Sequence, residues 1–358
     1  MSASLRSSLA LAALLGLGGC SSTAYYWQSV SGHLQVMNAA RPVQDWLDES
    51  QTPAPLKARL ELAQRIRRFA VSELQLPDNA SYQRYADLHR PAVVWNVTAA
   101  PALSLKLQTW CFPVAGCVGY RGYFDERQAR AEAARLQAQG LDVAVAGIPA
   151  YSTLGWMNWA GGDPLLNTFV AYPEGDLARL IFHELAHQVL YAKDDTVFNE
   201  SFATAVERLG VARWLAVSGS ANAQRDYAAL ETRRQQFRAL TQATRRELAA
   251  IYEENQDPAL TRSAQIAMKN IALENFRARY AELKTGWRGP AGSTAGYDRW
   301  VAQANNASFG AQAAYDELVP GFEALFARQG GHWRAFYDEA KRLARLPKDE
   351  RQKILATP

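Results

Sequence analysis

The stretch HELAHQVLYAKDDTVFNESFA, residues 183–203, starts with a His-Glu-x-x-His pattern. Apolar residues recur at helical spacing through GDLARLIFHELAHQVLYA, the segment that contains it, so the pattern is expected on a helix. There His183 and His187 lie one turn apart on the same face, where two imidazoles can bind one Zn²⁺. Glu184 projects beside this position and can activate a water molecule. Because burying three ionisable groups without a metal or partners is costly, the pattern indicates a metal centre rather than an ordinary core helix.

A catalytic zinc needs a third protein ligand and leaves its fourth position open. The acids that compete for this role are Asp194, Asp195, Glu200 and Glu207. The two aspartates stand in AKDDT, which also has the composition of a turn before a helix. Glu200 and Glu207 are spaced so that they share a helix face. Spacing alone leaves the choice open.

The composition is that of an ordinary globular protein. Of 358 residues, 48% are hydrophobic and 21% are charged. The 39 basic and 35 acidic residues leave a formal charge of +4. This excess is too small to indicate a protein that binds nucleic acid.

The pattern along the chain predicts one domain over residues 31–358, mixed α/β to about residue 173 and mostly helical from about 174. Short β-branched and aromatic runs predict a small antiparallel sheet beside a helix at 125–140. Farther on, apolar residues near heptad spacing predict a long helical hairpin. Its first arm carries Tyr227, Leu230, Phe237, Leu240, Leu248 and Ile251, and its second starts at Pro258 and continues through Ile266, Ile271 and Phe276. The predicted fold class is therefore α+β, predominantly α.

The N-terminal segment MSASLRSSLALAALLGLGGC has one early cation and an apolar run of about ten residues, the size of a signal-peptide core. Its end resembles a bacterial lipobox, which implies a signal peptide at 1–19, lipidation of Cys20 and a lipidated tether at 20–30. Ser21, in place of an Asp, implies an outer-membrane anchor facing the periplasm. The alternative is an ordinary secretory signal with an incidental cysteine.

Export also bears on the two remaining cysteines, Cys111 and Cys117. An even pair close together in an oxidising compartment predicts a local disulfide. A metal site at this pair is not expected, because no other cysteine and no histidine lies nearby in the sequence.

The combination of HELAH with NESFA resembles the glutamate-type zinc peptidases, or gluzincins, such as thermolysin and the aminopeptidase N group. In those enzymes a second helix starts with Asn-Glu and supplies the third ligand, which maps onto Asn199 and Glu200. The connector after His187 is shorter here, and Glu207 matches the thermolysin-like distance, so it remains a second candidate ligand. The resemblance otherwise implies that Glu207 and Asn199 support the ligands and that the chain binds one Zn²⁺.

A longer set of segments is similar to the predicted aminopeptidase family of Gram-negative lipoproteins. These segments are WCFPVAGCVGYRGYF, AYSTLGW, DPLL, YPEGDLARLIFHELAHQ and FNESFATAVE, and the likeness extends from about residue 25 to 345. It implies a single peptidase domain in which a small sheet packs on a gluzincin-like zinc-helix core. The expected activity is a zinc-dependent aminopeptidase that hydrolyses peptides in the periplasm. The alternatives are a zinc endopeptidase, a hydrolase of non-peptide amides, and a zinc-binding lipoprotein without activity.

Residues that bind the substrate are not identified by the sequence. The Gly-x-Met-Glu-Asn segment with which the aminopeptidase N group binds a free amine has no counterpart here. Asp163 and Glu174 are candidates for that role, and each also suits a turn or a helix start. Candidates for oxyanion stabilisation are Tyr151, Tyr191 and His332. NTFVAY, residues 167–172, is the expected strand along which a peptide would lie.

Overall fold

The computed structural model describes residues 23–112, 116–253, 261–287, 294–313 and 317–356, and most of them are helical. The helices are α1 (23–39), α2 (Val43–Asp48), α3 (Ala54–Ser72), α4 (Glu126–Gln137), α5 (Glu174–Ala186), α6 (Thr196–Val217), α7 (Ala221–Glu253), α8 (Arg262–Thr285), α9 (Ala295–Gln303), α10 (Asn306–Ala313), α11 (Val319–Arg328), α12 (Trp333–Ala344) and α13 (Lys348–Ala356). The strands are short. The α+β class with predominant helix is confirmed.

The strands are β1 (Arg41–Pro42), β2 (Arg84–Ala86), β3 (Val94–Pro101), β4 (Trp110–Phe112), β5 (Gly116–Val118), β6 (Arg121–Tyr123), β7 (Leu141–Ile148) and β8 (Leu165–Leu166). The predicted small antiparallel sheet has the order β6-β3-β7, with Val94 opposite Ile148. Strands β4 and β5 form a separate antiparallel hairpin in which Cys111 and Cys117 are joined by a disulfide. A third sheet, β1-β2-β8, contains a parallel pair that the sequence does not predict.

The two faces of strand β3 have different roles, because successive side chains point to opposite sides of a sheet. Trp95, Val97 and Ala99 belong to the apolar cluster that covers one face with helix α4. Val94 and Asn96, on the other face, line a cavity that also contains His183 and Glu184. The expected packing of the sheet on the core around helix α5 is seen at Val93 and Val94, which belong to the same apolar cluster as Leu177 of that helix. Asn96, farther along the strand, faces the helix across the cavity.

The expected strand at 167–172 is wrong, since these residues form turns and strand β8 is limited to Leu165–Leu166. Phe169 and Val170 are nevertheless buried in the main core. Their apolar character reflects that burial rather than an extended backbone.

The main core lies around helix α5. Helices α3, α6, α11 and α12 surround it, and Phe182 and Phe202 are fully buried among their side chains. Phe202 packs against Phe322 of α11 and Phe336 of α12, with ring centroids 5.5 and 5.8 Å away. This aromatic packing holds α6 against α11 and α12.

Helices α7 and α8 pack together as the predicted helical hairpin, although Pro258 lies outside the described residues. Phe237, Leu248, Ile251 and Phe276 belong to their shared apolar cluster. At two places the buried residues differ from the predicted apolar seam. Tyr227 packs on the main core instead, where a Cβ at Gly175 of α5 would come within 2.4 Å of its ring. Ile266 and Ile271 face solvent and are 37% and 57% exposed, because the buried side of α8 passes through other residues.

Residues 23–30, assigned to a tether from the sequence, already belong to helix α1. This segment is held against the fold by Tyr25, which packs against Phe112 and Tyr123, with ring centroids 5.7 and 5.5 Å away, and lies under the guanidinium of Arg121. The predicted signal peptide and Cys20 lie outside the described residues. Among the residues that are described, no helix has the length and apolar character needed to cross a membrane.

Candidate metal centre

The two histidines of the His-Glu-x-x-His pattern stand at the end of helix α5. His183 lies in its last turn, and His187 follows Ala186 as the C-terminal cap, with its N–H bonded to the His183 carbonyl at 3.3 Å. The sequence predicts a helix that continues through Ala192, whereas the backbone leaves the helix after His187 in short turns. Both imidazoles are consequently placed at one end of the helix, beside the start of α6.

Asn199 holds the connector between the two helices. Its side-chain amide donates to the Ala192 carbonyl at 2.8 Å and accepts from the Ala192 N–H at 2.7 Å. Asp195 caps helix α6 by accepting from the Phe198 N–H at 3.2 Å. These bonds fix a short connector and bring the first turn of α6, with Glu200, against the last turn of α5. They also hold the backbone of Ala192 outside the helix that the sequence predicts to continue to it.

Three donor groups converge where the helices meet. The His183 and His187 Nε2 atoms are 3.2 Å apart, and they lie 3.3 and 3.7 Å from the Glu200 carboxylate. One ligand atom from each residue lies within 4.8 Å of the others. The three side chains are only 10–13% exposed. This group could hold a metal ion.

Glu207 lies behind His183, on the side away from Glu200. One carboxylate oxygen is 2.9 Å from His183 Nδ1, and the other accepts from Arg179 Nε at 2.6 Å. A bond from Nδ1–H to this carboxylate holds the ring in the tautomer that leaves Nε2 free to bind a metal. The structure thus puts Glu200 among the donors and Glu207 in a supporting position.

The two aspartates of the connector point elsewhere. Asp194 accepts from the Cys117 N–H at 2.6 Å, which ties the connector to strand β5. The buried carboxylate of Asp195 accepts from Arg351 at 2.8 Å and from Gln352 at 3.1 Å, both on helix α13. Their interactions are structural, so Glu200 is the acid that the fold places beside the imidazoles.

His183, His187 and Glu200, together with Glu207 behind them, are here called the metal cluster. Their charges explain why this group suits a cation. Burial lowers the pKa of His183, but the carboxylates of Glu200 and Glu207 outweigh this effect and raise it to about 10. Burial raises the pKa of Glu200, yet the neighbouring imidazoles hold it well below its ordinary value. The two carboxylates thus favour positive charge at this point, which a protonated His183 or a bound cation can supply. Two imidazole nitrogens and one carboxylate oxygen are also a donor set found in catalytic zinc sites.

Comparison with known families agrees with this geometry. Residues 24–355 match the family model described as "Putative aminopeptidase". The chain belongs to this family. No curated protein and no solved structure matches it significantly.

In this chain, Glu184 shares a cavity of about 480 Å³, here called the tyrosine cavity, with His183, His187 and Glu200. Its walls include Tyr25, Tyr26, Tyr120, Tyr151 and Tyr191. Burial raises the pKa of the Glu184 carboxyl, and the nearby imidazoles oppose that effect. A carboxyl group whose pKa is raised, in a cavity beside residues that could hold a metal ion, is suited to accept and return a proton.

Two of the three predicted oxyanion candidates line this cavity. The Tyr151 hydroxyl is 2.6 Å from His33 Nδ1, and Tyr191 lies near Glu200. His332 is instead exposed at the start of helix α12, outside the cavity lining. His332 is the N-terminal cap residue of α12, so it lies at the surface rather than at the cavity.

The two residues suggested for amine recognition are occupied by structural bonds. Asp163 accepts from the Thr153 N–H at 3.1 Å and from Gln188 at 3.3 Å. Glu174 accepts from the Trp214 indole at 3.1 Å. Neither residue lines the tyrosine cavity.

Sequence reasoning missed Arg179, Tyr120 and His33. Arg179 precedes His183 by one helical turn, so spacing could have revealed it. Tyr120 and His33 carry no comparable signal, because the fold brings them to the cavity from β-hairpin and α1 segments distant in sequence.

Proposed function

We propose that this chain is a zinc-dependent metallopeptidase of the gluzincin type, with an aminopeptidase activity in the periplasm. The observation that carries the proposal is the convergence of His183, His187 and Glu200 within 4.8 Å, with Glu184 in the same cavity. The family description supports hydrolysis of peptides.

In this proposal His183, His187 and Glu200 bind one Zn²⁺ per chain. The ion, when bound, would supply Lewis-acid polarisation of a carbonyl and would acidify a water molecule toward a pKa of about 7. Glu184 accepts a proton from water and delivers it to the leaving amine. Glu207 keeps His183 in the required tautomer.

The tyrosines complete the proposed chemistry. Tyr120 and Tyr151 present phenol groups to the cavity that contains Glu184, and burial raises the pKa of both. A phenol that stays protonated can donate a hydrogen bond to the oxygen that becomes negative when a carbonyl is attacked. Tyr151 is the first candidate, in the arrangement in which His33 Nδ1–H donates to the phenol oxygen, 2.6 Å away, and the phenol O–H points to the substrate oxygen.

The choice of aminopeptidase over endopeptidase rests on the family. Asp163 and Glu174 are used structurally, so no carboxylate outside the cluster is assigned to a substrate amine. A zinc endopeptidase and a hydrolase of non-peptide amides would use the same cluster. A zinc-binding lipoprotein without activity would have no use for Glu184.

We further propose that the chain is anchored to the outer membrane through Cys20. Helix α1 supports this location, because its described residues, 23–39, lie close to Cys20 in the sequence and include no Asp, Glu, Lys or Arg. It exposes Trp27 (74%), Val30 (56%) and Leu34 (49%) to the surroundings. Aromatic and apolar side chains of this kind suit a lipid surface. Cys20→Ala should release the protein from the membrane fraction of cells, whereas unchanged fractionation would contradict the anchor.

The function is tested with the purified chain and Glu184→Gln. Both proteins should contain about one zinc per chain, since Glu184 is not a ligand, and only the wild type should hydrolyse aminoacyl reporters with a free amine. Peptides with blocked N-termini distinguish the alternatives: equal rates on blocked and free peptides would reject the aminopeptidase assignment. A native protein that binds no metal would reject the site.

A further inference from the structure

A second cavity, of about 610 Å³, continues from the tyrosine cavity along the sheet β6-β3-β7, and we name it the sheet cavity. The two cavities have Asn96, Tyr120 and Ile148 in common as lining residues. Glu184 lines the tyrosine cavity. A peptide whose scissile bond lay at Glu184 would therefore have an open path from one cavity into the other.

Three pairs of opposite residues on strands β3 and β7 form a common floor for the two cavities. Side chains two residues apart on a strand point to the same side of the sheet, so the three pairs share one face. The pairs are Val94 with Ile148, Asn96 with Ala146, and Thr98 with Ala144. The first pair lines the tyrosine cavity, and the second and third pairs line the sheet cavity. The groove thus follows the strands away from the metal cluster.

The spacing of these pairs matches that of an extended peptide. Side chains on one face of a strand recur about every 7 Å, and those of an extended peptide recur at the same interval. The first and third pairs are about 14 Å apart, which is room for about four extended residues. Helix α10 stands at the far end, where the Asn306 amide donates to the Pro101 and Ala102 carbonyls at 3.0 and 2.9 Å. The Asn305 amide likewise donates to the Val143 carbonyl at 2.9 Å.

The lining of the sheet cavity favours an apolar ligand over a charged one. Its floor has only the methyl groups of Ala144 and Ala146 from β7, so bulk can be supplied by a ligand. Large apolar side chains also line it, namely those of Leu105, Leu107, Val197 and Trp300. Among the described lining residues, two cations and two acids are exposed, namely Lys106, Lys348, Asp194 and Glu317. The fifth charged residue, Arg245, also lines a neighbouring cavity.

We propose that the sheet cavity binds an apolar side chain on the leaving-group side of an extended peptide, so that the substrates are oligopeptides rather than dipeptides. The continuity with the tyrosine cavity and the spacing of the floor identify the occupant as the substrate chain itself. Burial of the side chain removes apolar surface from water and so favours binding.

The inference rests on the proposed aminopeptidase function, which also fixes the direction of the chain. Such a substrate has one residue before the scissile bond, so only its leaving-group segment is long enough to reach the sheet cavity. The second pair of the floor is about 7 Å, or two residues, beyond the first. The apolar side chain is therefore expected at the third or fourth residue of the substrate.

The experiment compares amidated tetrapeptides with a free N-terminus and the same first two residues. They carry Phe or Ser at the third residue in one pair, and at the fourth residue in the other. The wild type should favour the Phe peptide of one pair by about 10- to 100-fold in kcat/KM. Equal kcat/KM values within both pairs, with hydrolysis intact, would overturn the inference and leave the peptidase function standing.

Two variants place the preference in the sheet cavity. Ala146 is exposed on β7, and phenylalanine is common in strands, so Ala146→Phe should fold. It should reduce the Phe-to-Ser ratio to about 3 or less, because its ring takes the space of the substrate ring. Ala144→Leu tests the same space from the third pair of the floor. A ratio unchanged in both variants would show that the side chain binds elsewhere.

Ala134→Phe is the matched control, since Ala134 is exposed on helix α4, which covers the opposite face of the sheet. It should keep both the activity and the ratio of the wild type. Loss of the preference in this variant as well would reject a specific role for the sheet cavity.

A binding measurement separates this inference from the proposed function. Calorimetry on Glu184→Gln should show tighter binding of the preferred Phe peptide by the same factor, and Ala146→Phe in that background should remove the difference. Preferential binding without hydrolysis by the wild type would reject the peptidase function and retain the sheet cavity as a peptide site. Equal dissociation constants for the Phe and Ser peptides would reject the sheet cavity.

Discussion

The helix pair α5–α6 and the helix pair α7–α8 bury different kinds of side chains. Between α5 and α6 lie His183, Glu200 and Glu207, each within bonding distance of another member of the cluster. Between α7 and α8 lie apolar side chains such as Phe237 and Phe276. Apolar burial is non-directional and roughly proportional to area, whereas buried charges are stable only when partners compensate them. Substitutions in the first pair should therefore act on the metal, and substitutions in the second on the free energy of unfolding.

The largest expected effect is that of Glu200→Ala on metal binding. The change removes the carboxylate that compensates two imidazoles, and leaves two protein ligands. The loss in zinc affinity should exceed the roughly 10–100-fold loss typical of residues that only orient a ligand. Zinc titration against a competing chelator measures it. Glu274→Ala, an exposed acid on α8, is the matched control, and unchanged affinity in Glu200→Ala would show that another acid binds the ion.

Phe276→Ala should produce the largest loss of stability in the α7–α8 pair. Phe276 is fully buried and packs against Trp300 and Phe309, with ring centroids 5.9 and 5.2 Å away. Removing a buried phenyl group costs about 3–5 kcal/mol of unfolding free energy. Urea unfolding followed by circular dichroism measures the change. The folded variant should keep the zinc affinity of the wild type. A loss of zinc affinity without a loss of stability would show that packing between α7 and α8 also controls the metal cluster.

The same contrast determines what the sequence could predict. His183, Glu184 and His187 are fixed relative to one another by helical spacing. Their neighbouring positions at one end of α5 could therefore be predicted from the His-Glu-x-x-His pattern alone. The choice of Glu200 over Asp194 depends on how the connector is bonded, through the Asn199 amide and the Cys117 N–H. The Asn199 contact is local and the Cys117 contact joins residues far apart in the chain, and neither leaves a periodic signal in the sequence.

For the hairpin, periodicity identified both helices but not every buried position. Phe237, Leu248 and Phe276 are in the seam as predicted. Ile266 and Ile271 are not, because an exposed face can also carry apolar residues.

Glu207→Gln should lower both the zinc affinity and the thermal stability, by less than the changes expected for Glu200→Ala and Phe276→Ala. Glutamine can still accept a bond from His183 Nδ1, but it no longer compensates Arg179. Zinc affinity should fall by about 10–100-fold. Zinc titration and thermal unfolding of the variant measure the two consequences, and the addition of Arg179→Met should restore stability without restoring affinity. Restoration of both would mean that Glu207 serves Arg179 alone.

Ile271→Gln should have the smallest effect, although simple periodicity places Ile271 in the α7–α8 seam. The side chain is 57% exposed, while the buried face of α8 passes through Leu273, Phe276 and Tyr280. Glutamine is as good a helix former as isoleucine, so the unfolding free energy should change by no more than about 0.5 kcal/mol. Urea unfolding beside Phe276→Ala measures the difference on one helix. A loss above about 1 kcal/mol would show that Ile271 packs against the rest of the protein, and the seam would then be as wide as the spacing of its apolar residues implies.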